Sequence, residues 1–329
     1  MDDPRADGRP PPVPARILAL GPSAAGQRLD LFLVAELSLS RGQVRRLLDR
    51  GAVSLDGRSL GLRDKGLRLP ESGALAVEAF RSGTDARARP PEPGAQAPVI
   101  VASGPGWLAV DKPAGMPVHP LGEEETGTLL GHLLARHPEI HGIGEGGLRS
   151  GVVHRLDVDT SGVMLVATDA KSWGRLRGAF QAHRVRKVYR ALVQGDLDPP
   201  GGVLDMALPL VVARHRPAHV RVATPAEVER GRAREVVQRV LRLAKLEGAT
   251  LIEVHPRTGF LHQIRATLAH LGHPLVGDRR YDATDDKSGA RRHMLHAAEI
   301  ELEEIHALAG EPLDFRACLR ALGGEEGIL

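Results

Sequence analysis

The amino-acid sequence predicts an α+β fold, in which a mixed, largely antiparallel sheet with flanking helices follows a small α/β module. Strand and helix patterns in the last two thirds of the 329 residues follow no strict βαβ order and no internal repeat, which is typical of antiparallel sheets. A chain of this length accommodates about two domains. We expect a disordered arm at 1–15, the module at 16–80, a linker at 81–98 and the larger domain at 99–322. The arm and the linker are assigned from their many prolines and few apolar residues.

The module is predicted to hold two short helices and a small sheet. Apolar residues recur at helical spacing from Leu29 to Leu37. Ser40 is a typical N-cap for a second helix, which Gly51 would end. "AVSLDGRSL" alternates apolar and polar residues around Asp-Gly at 56–57, a strong signal for a two-residue hairpin turn.

The larger domain is predicted to alternate irregularly between strands and helices. "PVIVASGPGWLAVDKPAGMPVHP" predicts two short strands around Gly-Pro-Gly, followed by a loop. "GVVHRL", "GVMLVAT", "KVYRALVQG" and "ATLIEVHP" have the composition of strands. "KSWGRLRGAFQAH" and "HQIRATLAHLG" have helical spacing, and Gly272 would end the second of these helices.

Charge is unevenly distributed along the chain, although the net charge is only +3. No acidic residue lies between Asp169 and Asp196, whereas the same span contains Lys171, Arg175, Arg177, Arg184, Arg186, Lys187 and Arg190. Further basic clusters are "SRGQVRRLLDR" and "RHRPAHVR", and "EIELEE" near the end is acidic. Such segregation suits a polyanionic partner, but solvated helix faces explain it equally well.

Targeting signals are not expected. The first residues lack the basic start and apolar stretch of a secretory signal, and no apolar run is long enough for a membrane span. The single cysteine, Cys318, allows no intramolecular disulfide and fits a reducing compartment. We therefore expect a cytoplasmic protein with no membrane contact.

The segment "HRLDVDTSG" has two interpretations. Asp159, Thr160, Ser161 and Gly162 are turn formers and require no further role. Asp157, however, follows the strand-like "GVVHRL", and a carboxylate at the end of a strand is well placed to face a cleft. A nearby arginine would hold such a carboxylate ionised and oriented. The segment is therefore either a simple turn or an active site carried by a turn.

Three blocks of the larger domain, taken in order, resemble the RluA-type family of pseudouridine synthases. They are "HRLDVDTSG", "KVYRALVQG" and "TGFLHQIRATLAHLGHPLVGDRRYD". "LAVDKPAGMPVHP" before them and "RRHMLHAAEIEL" after them look like the family's opening strand and loop and its last segment. The resemblance covers nearly all of 99–305, and several blocks in the correct order are more specific than any single motif.

The resemblance implies a role for each chemistry-bearing side chain. Asp157 would be the essential nucleophile or base, Tyr189 would stack on the uracil ring and could assist deprotonation, and Arg265 would orient Asp157. Arg155 would fill the stack that a flipped base leaves. From the residues alone, an isolated strand tyrosine such as Tyr189 is more often a core residue, and a helical arginine such as Arg265 is more often part of a surface ion pair. Four further residues of the blocks are expected to bind the substrate: His154, Thr160, His262 and Gln263.

The third block departs from the family pattern. Phe260 and Leu261 follow Thr-Gly where the family has arginine, and Ala266 is part of the Ala-Thr that replaces a histidine after Arg265. Val158 follows Asp157, where a polar or basic residue is commoner. These changes alter the expected RNA-contacting rim. Lys112 and His119, in the opening loop, are taken as loop residues without a role.

The module resembles a second family, the alpha-L RNA-binding motif shared with a ribosomal small-subunit protein. The turn "LSR" followed by "GAVSLDG" carries this resemblance. The phosphate contacts that it implies are Arg28, Arg41, Gln43, Arg45 and Arg46. The alternative is a helical arm for oligomerisation.

Together, these patterns predict an RNA pseudouridine synthase that acts on large-subunit ribosomal RNA as a monomer. The isomerisation requires no cofactor. No metal is expected because the histidines lack zinc-site spacing, and no nucleotide cofactor is expected because "GIGEGG" lacks the lysine of a phosphate-binding loop. The alternative is a non-catalytic RNA-binding or ribosome-assembly protein with a decayed site.

Overall fold

The computed structural model describes residues 14–37, 39, 41–80, 86–215, 217–282 and 289–325, apart from the side chains of Gly42 and Arg46. The chain divides into two compact units: residues 1–88 with 145–148, and residues 89–144 with 149–329. The division after residue 88 falls inside the segment expected to be a linker. There, residues 86–98 form no helix or strand, although Ala86 and Ala88 are buried. Most of the expected arm lies outside the described residues.

The N-terminal unit combines two helices with a small antiparallel sheet. Its elements are β1 (Arg16–Leu20), α1 (Leu29–Glu36), α2 (Arg41–Asp49), β2 (Val53–Leu55), β3 (Arg58–Leu60) and β4 (Gly73–Val77), with strand order β1-β4-β2-β3. Asp56 and Gly57 have φ angles of 48° and 82°, as a two-residue hairpin turn requires. Gly51 ends α2 with φ 71°. The expected N-cap, Ser40, lies outside the described residues.

In the described part of the second unit, ten strands form one sheet. They are β5 (Val99–Gly104), β6 (Trp107–Lys112), β7 (Ser161–Ala167), β8 (Arg186–Gln194), β9 (Val203–His215), β10 (Ala218–Val222), β11 (Arg234–Lys245), β12 (Ala249–Pro256), β13 (Leu295–Leu302) and β14 (Ile305–Leu308). The order is β10-β9-β11-β12-β8-β13-β7-β6-β5, with β14 paired to β13. Neighbouring strands are antiparallel except for β7 and β13, which are parallel. The predicted α+β class is confirmed.

Helices cover both faces of this sheet. They are α3 (Leu129–Arg136), α4 (Ala170–Gln181), α5 (Pro225–Glu229), α6 (Gln263–His270) and α7 (Leu313–Ala321). Leu268 of α6 belongs to the same apolar cluster as Ala191 of β8, whereas Phe315 of α7 clusters with the next strand residue, Leu192. Because successive strand residues point to opposite faces, α6 and α7 lie on opposite sides of β8. Among the described residues, no helix is long and apolar enough to cross a membrane.

The prediction of a strand at "GVVHRL" was wrong. This segment makes a single isolated bridge, between Val152 and Val166, and β7 begins only at Ser161. The imidazole of His154 accepts a hydrogen bond from the backbone N–H of Leu165 at 2.9 Å. A side chain therefore occupies the position that a neighbouring strand's carbonyl would take, and regular pairing ends there.

Three of the seven cations in the basic span after Asp169 pair with the acidic segment near the C-terminus. Arg175 and Arg184 both pair with Glu303, and Arg186 pairs with Glu299 and Glu301. The structure therefore favours intramolecular ion pairs over a free basic patch in this span.

Candidate active site

Asp157 lies in a turn in which the backbone carbonyls of Asp157 and Val158 both accept hydrogen bonds. The carbonyl of Asp157 accepts the N–H of Thr160 at 3.1 Å. The carbonyl of Val158 accepts both the backbone N–H of Gly115 and the ammonium of Lys112, each at 2.9 Å. These bonds fix the direction of the Asp157 side chain, although the residue lies inside the turn and not at the end of a strand.

Lys112, which the sequence assigned to a loop without a role, ends β6 and supports the turn through the Val158 carbonyl. Its side chain is fully buried, and Nζ also donates to the carbonyls of Pro113 and Met116 at 2.9 Å. Burial, together with the charge of Arg292, lowers the pKa of Lys112 to about 7. The only signal in the sequence was a lysine at the end of the apolar run "WLAV", since buried lysines are rare without partners.

The other side of the turn is held by Arg292 and His293. Arg292 Nη1 donates to the carbonyl of Asp159 at 3.0 Å, and the same guanidinium binds Asp314. His293 Nε2 lies 2.8 Å from Thr160 Oγ1. Burial, then the charge of Arg265, lowers the pKa of His293 to about 4, so its ring is neutral at pH 7.

Arg265 joins Asp157 to a second carboxylate. Its Nη1 lies 2.9 Å from Asp157 Oδ2, while Nε and Nη2 bind Asp278 at 2.7 and 2.8 Å. Arg265 is 6% exposed, which excludes the surface ion pair that the sequence left open. Burial alone would lower the pKa of Arg265, but the two carboxylates outweigh it and raise the pKa further above its usual range.

Tyr189 lies half-buried on β8, against the apolar cluster under α6. Burial, reinforced by the charge of Asp157, raises the pKa of the Tyr189 hydroxyl above its usual value. A hydroxyl that keeps its proton at neutral pH donates a hydrogen bond and cannot act as a base. The raised pKa of Tyr189 therefore favours hydrogen-bond donation over deprotonation.

His262 also reaches the carboxylate. Its Nε2 lies 3.9 Å from Asp157 Oδ2, and its Nδ1 lies 2.9 Å from the hydroxyl of Tyr281. Burial lowers the pKa of His262 to about 4, so the imidazole is neutral at pH 7. Asp157 retains 23% exposure of its side chain, which leaves it open to a substrate from one side.

All four residues expected to contact the substrate have partners within the protein, but only His262 also faces Asp157. His154 stacks on Phe180 of α4 with ring centroids 4.2 Å apart. Gln263 bonds to Thr258 and the Gln238 amide, and Thr160 is buried against His293. The structure therefore gives these three residues supporting positions, whereas His262 faces Asp157. Arg155 is exposed and makes no ion pair or hydrogen bond with any described residue.

Three of the four residues that depart from the family pattern in the third block share one location, whereas the fourth, Thr267, is buried and accepts a hydrogen bond from Gln238 Nε2 at 2.8 Å. Phe260, Leu261 and Ala266 lie in an apolar cluster that joins α6 to the hairpin of β9 and β10. The other members of the cluster are Leu208, Leu210, Val212, Val220, Val222, Val236 and Tyr281. Apolar side chains at these positions therefore pack the hairpin of β9 and β10 against α6. Charged side chains would lose their hydration there, which costs free energy.

The proposed phosphate contacts of the N-terminal unit differ in their availability. Arg28 donates hydrogen bonds from Nε and Nη2 to the two carboxylate oxygens of Asp30, at 3.0 and 2.9 Å. Arg41 and Arg45 are exposed on α2, one helical turn apart on the same side. Gln43 is half-buried. The side chain of Arg46 lies outside the described residues.

A carboxylate that is fixed by a turn, paired with a buried arginine and open on one side is suited to act as a nucleophile or a base. Residues 106–270 match the family model for RNA pseudouridylate synthase. The chain is 36% identical over 317 residues to an uncharacterized RNA pseudouridine synthase of Chloroflexus aurantiacus, covering 93% of this chain and 90% of that protein. It is 34% identical over 306 residues to ribosomal large subunit pseudouridine synthase D of Xanthomonas campestris, covering 88% and 85%.

The structural comparison agrees on the fold. The structure of human RNA pseudouridylate synthase domain containing 1 superimposes with a TM-score of 0.55 at 24% identity, covering 69% of this chain and 90% of that one. The chain belongs to the RNA pseudouridine synthase family, whose members are isomerases.

Proposed function

We propose that this protein converts uridine to pseudouridine in large-subunit ribosomal RNA and that Asp157 is the reacting carboxylate. The observation that carries the proposal is the contact of Asp157 with the buried guanidinium of Arg265 at 2.9 Å, in a site that remains partly open. An ion pair with one exposed side keeps a carboxylate charged and aimed while leaving an oxygen for the substrate.

The chemistry is an isomerisation, so atoms balance without a cofactor. The bond from ribose C1′ to uracil N1 breaks, the base turns, C1′ bonds to C5, and the C5 proton moves to solvent while N1 gains one. Asp157 begins the reaction as nucleophile or base. Tyr189 lies under the base as a stacking surface and donor, and the exposed Arg155 fills the gap that the flipped nucleotide leaves in the RNA.

The choice of RNA is supported by relatives and by the N-terminal unit. Relatives of 32–36% identity in several bacteria are named ribosomal large subunit pseudouridine synthase D. Arg41 and Arg45 on α2 provide cations for RNA phosphates, as in the alpha-L motif that the module resembles. Because the proposed substrate is ribosomal RNA, we place the protein in the cytoplasm as part of this proposal.

The test is Asp157→Asn, assayed under single turnover on a large-subunit rRNA transcript. We expect no pseudouridine formation, while RNA binding stays within about threefold of wild type, because the change removes charge and keeps shape. Pseudouridine mapping in a deletion strain identifies the target. Appreciable product from the variant contradicts the role of Asp157, and an unchanged map of large-subunit rRNA contradicts the substrate.

A further inference from the structure

We propose that Tyr281 is a positioning residue, whose hydroxyl fixes His262 as the tautomer with hydrogen on Nε2, directed toward Asp157. The inference rests on the proposed function only in taking Asp157 as the reacting group. It also links the site to the edge strand β10, because the same hydroxyl binds a backbone amide of that strand.

The hydrogen bonds of the Tyr281 hydroxyl determine the tautomer. The backbone N–H of Val220 in β10 donates to this oxygen at 2.9 Å. The one other described group within hydrogen-bonding distance is His262 Nδ1, also at 2.9 Å. The hydroxyl hydrogen therefore points to Nδ1, which accepts it. A neutral imidazole that accepts at Nδ1 carries its hydrogen on Nε2.

Charge favours the same tautomer. His262 Nε2 lies 3.9 Å from Asp157 Oδ2. With hydrogen on Nε2, the positive end of the N–H dipole faces the carboxylate, whereas the other tautomer would direct a lone pair at it. The separation is too long for a direct hydrogen bond. The N–H thus remains available to a uracil carbonyl or a ribose hydroxyl brought to Asp157.

Tyr281 is held on several sides, as a positioning residue must be. Its ring stacks on His219 of β10, with centroids 4.9 Å apart, and the guanidinium carbon of Arg265 lies 5.1 Å from its centroid. His262 meets the ring edge-on at 5.7 Å. Tyr281 therefore connects the hairpin strand β10 to the start of α6, where His262 lies.

The backbone of His262 indicates that this orientation is imposed by its surroundings. His262 has φ 50° immediately before α6, a left-handed conformation that costs a non-glycine residue free energy. Its side chain is 6% exposed. The cluster formed by Phe260, Leu261 and Ala266 holds the hairpin against α6, and so keeps the Val220 amide within reach of Tyr281.

The first test reads the tautomer without using activity. In protein labelled with ¹⁵N-histidine, the His262 signals are assigned by their loss in His262→Gln. We expect wild type to show hydrogen on Nε2, and Tyr281→Phe to show a mixture of tautomers or ring exchange. Tyr189→Phe, which removes a hydroxyl in another apolar cluster and leaves the Tyr281–His262 bond in place, is the matched control and should retain the wild-type tautomer. Hydrogen on Nδ1 in wild type, or no change in Tyr281→Phe, overturns the proposal.

The second test asks whether Tyr281 acts through His262. We expect Tyr281→Phe to slow single-turnover pseudouridine formation about tenfold, the effect of one lost hydrogen bond. In the His262→Gln background, the same change should slow it no further. Additive losses in this cycle contradict the positioning role. Failure of the proposed function is separately visible, because it would leave Asp157→Asn active while the tautomer result still stood.

Discussion

All three carbonyls from Asp157 to Asp159 accept hydrogen bonds, two of them from the buried side chains of Lys112 and Arg292. Helix α2 of the N-terminal unit is the opposite case. Arg41 and Arg45 are exposed there. In the turn, the basic side chains of Lys112 and Arg292 bind backbone carbonyls and so hold Asp157 in place. On α2, Arg41 and Arg45 form no ion pair with a described residue.

The difference separates two demands on charged side chains. Chemistry requires a group held in one geometry before the substrate arrives, whereas binding to phosphate requires cations that can exchange counterions for RNA. The basic span around Arg175 and Arg184 belongs with neither, because Glu303 already pairs with both residues. The three regions therefore differ in the groups that their basic side chains bind.

The largest effect is expected from Arg265→Met. It leaves Asp278, which is 1% exposed, without its partner, so the free energy of unfolding should fall by about 3–5 kcal/mol. Single-turnover product formation should fall about a hundredfold, because Asp157 loses its alignment. Urea unfolding and a quench assay measure the two effects.

Arg265→Met combined with Asp278→Leu separates structure from chemistry. An apolar pair should recover most of the stability, while the rate stays low because Asp157 still lacks its partner. If the stability and the rate of product formation both recover in the double variant, the pairing of Arg265 with Asp157 is not required for catalysis.

A smaller effect is expected from Lys112→Met. The carbonyls of Pro113, Met116 and Val158 lose the Lys112 donor, which should cost about 2–4 kcal/mol of stability and slow turnover about tenfold through the loosened Val158 carbonyl. Lys187→Met is the matched control, since Lys187 is half-buried and donates to the single carbonyl of Thr258. Equal losses in stability and rate for the two variants would remove the special role given to Lys112.

Acid should distinguish the two units. The buried rings of His262 and His293 and the half-buried ring of His154 have pKa values that desolvation lowers to about 4, 4 and 3, whereas unfolded histidine titrates near 6.5. Between these values the unfolded chain binds more protons, so stability falls as pH drops from about 6.5 toward 4, by roughly 1–2 kcal/mol per histidine at pH 5.

Residues 1–100 contain no histidine, so this loss should be confined to the second unit. Hydrogen exchange at pH 7 and pH 5, corrected for intrinsic rates, measures protection in each unit. Equal loss of protection in β2–β4 and in β7–β8 would show that the histidines are not the cause.

The smallest effect is expected on α2. Arg41→Gln with Arg45→Gln should weaken RNA binding severalfold and reduce the salt slope by about 1.4–1.8, because two phosphate contacts are lost. The control pair, Arg175→Gln with Arg184→Gln, should change affinity less, because these arginines already have carboxylate partners. Fluorescence anisotropy over a salt series compares the two pairs, and equal effects would abolish the distinction between paired and unpaired cations.

The sequence predicted the local elements well because their causes are local. Apolar spacing indicated α1 and α6, and the Asp-Gly pair at 56–57 indicated the hairpin between β2 and β3. It was wrong at "GVVHRL", where apolar composition resembles a strand but the His154 side chain replaces a backbone carbonyl. Composition alone does not show that substitution.

By itself, the sequence determined the fold class and the family, and block resemblance predicted the pairing of Asp157 with Arg265 across 108 positions. Only the tertiary structure decided the partners of each charge. It assigned Asp278 to Arg265, the carbonyl of Val158 to Lys112, and Glu303 to Arg175 and Arg184. Periodicity and turn chemistry act over a few residues, whereas a buried charge is stabilised by whichever group the fold brings within about 3 Å.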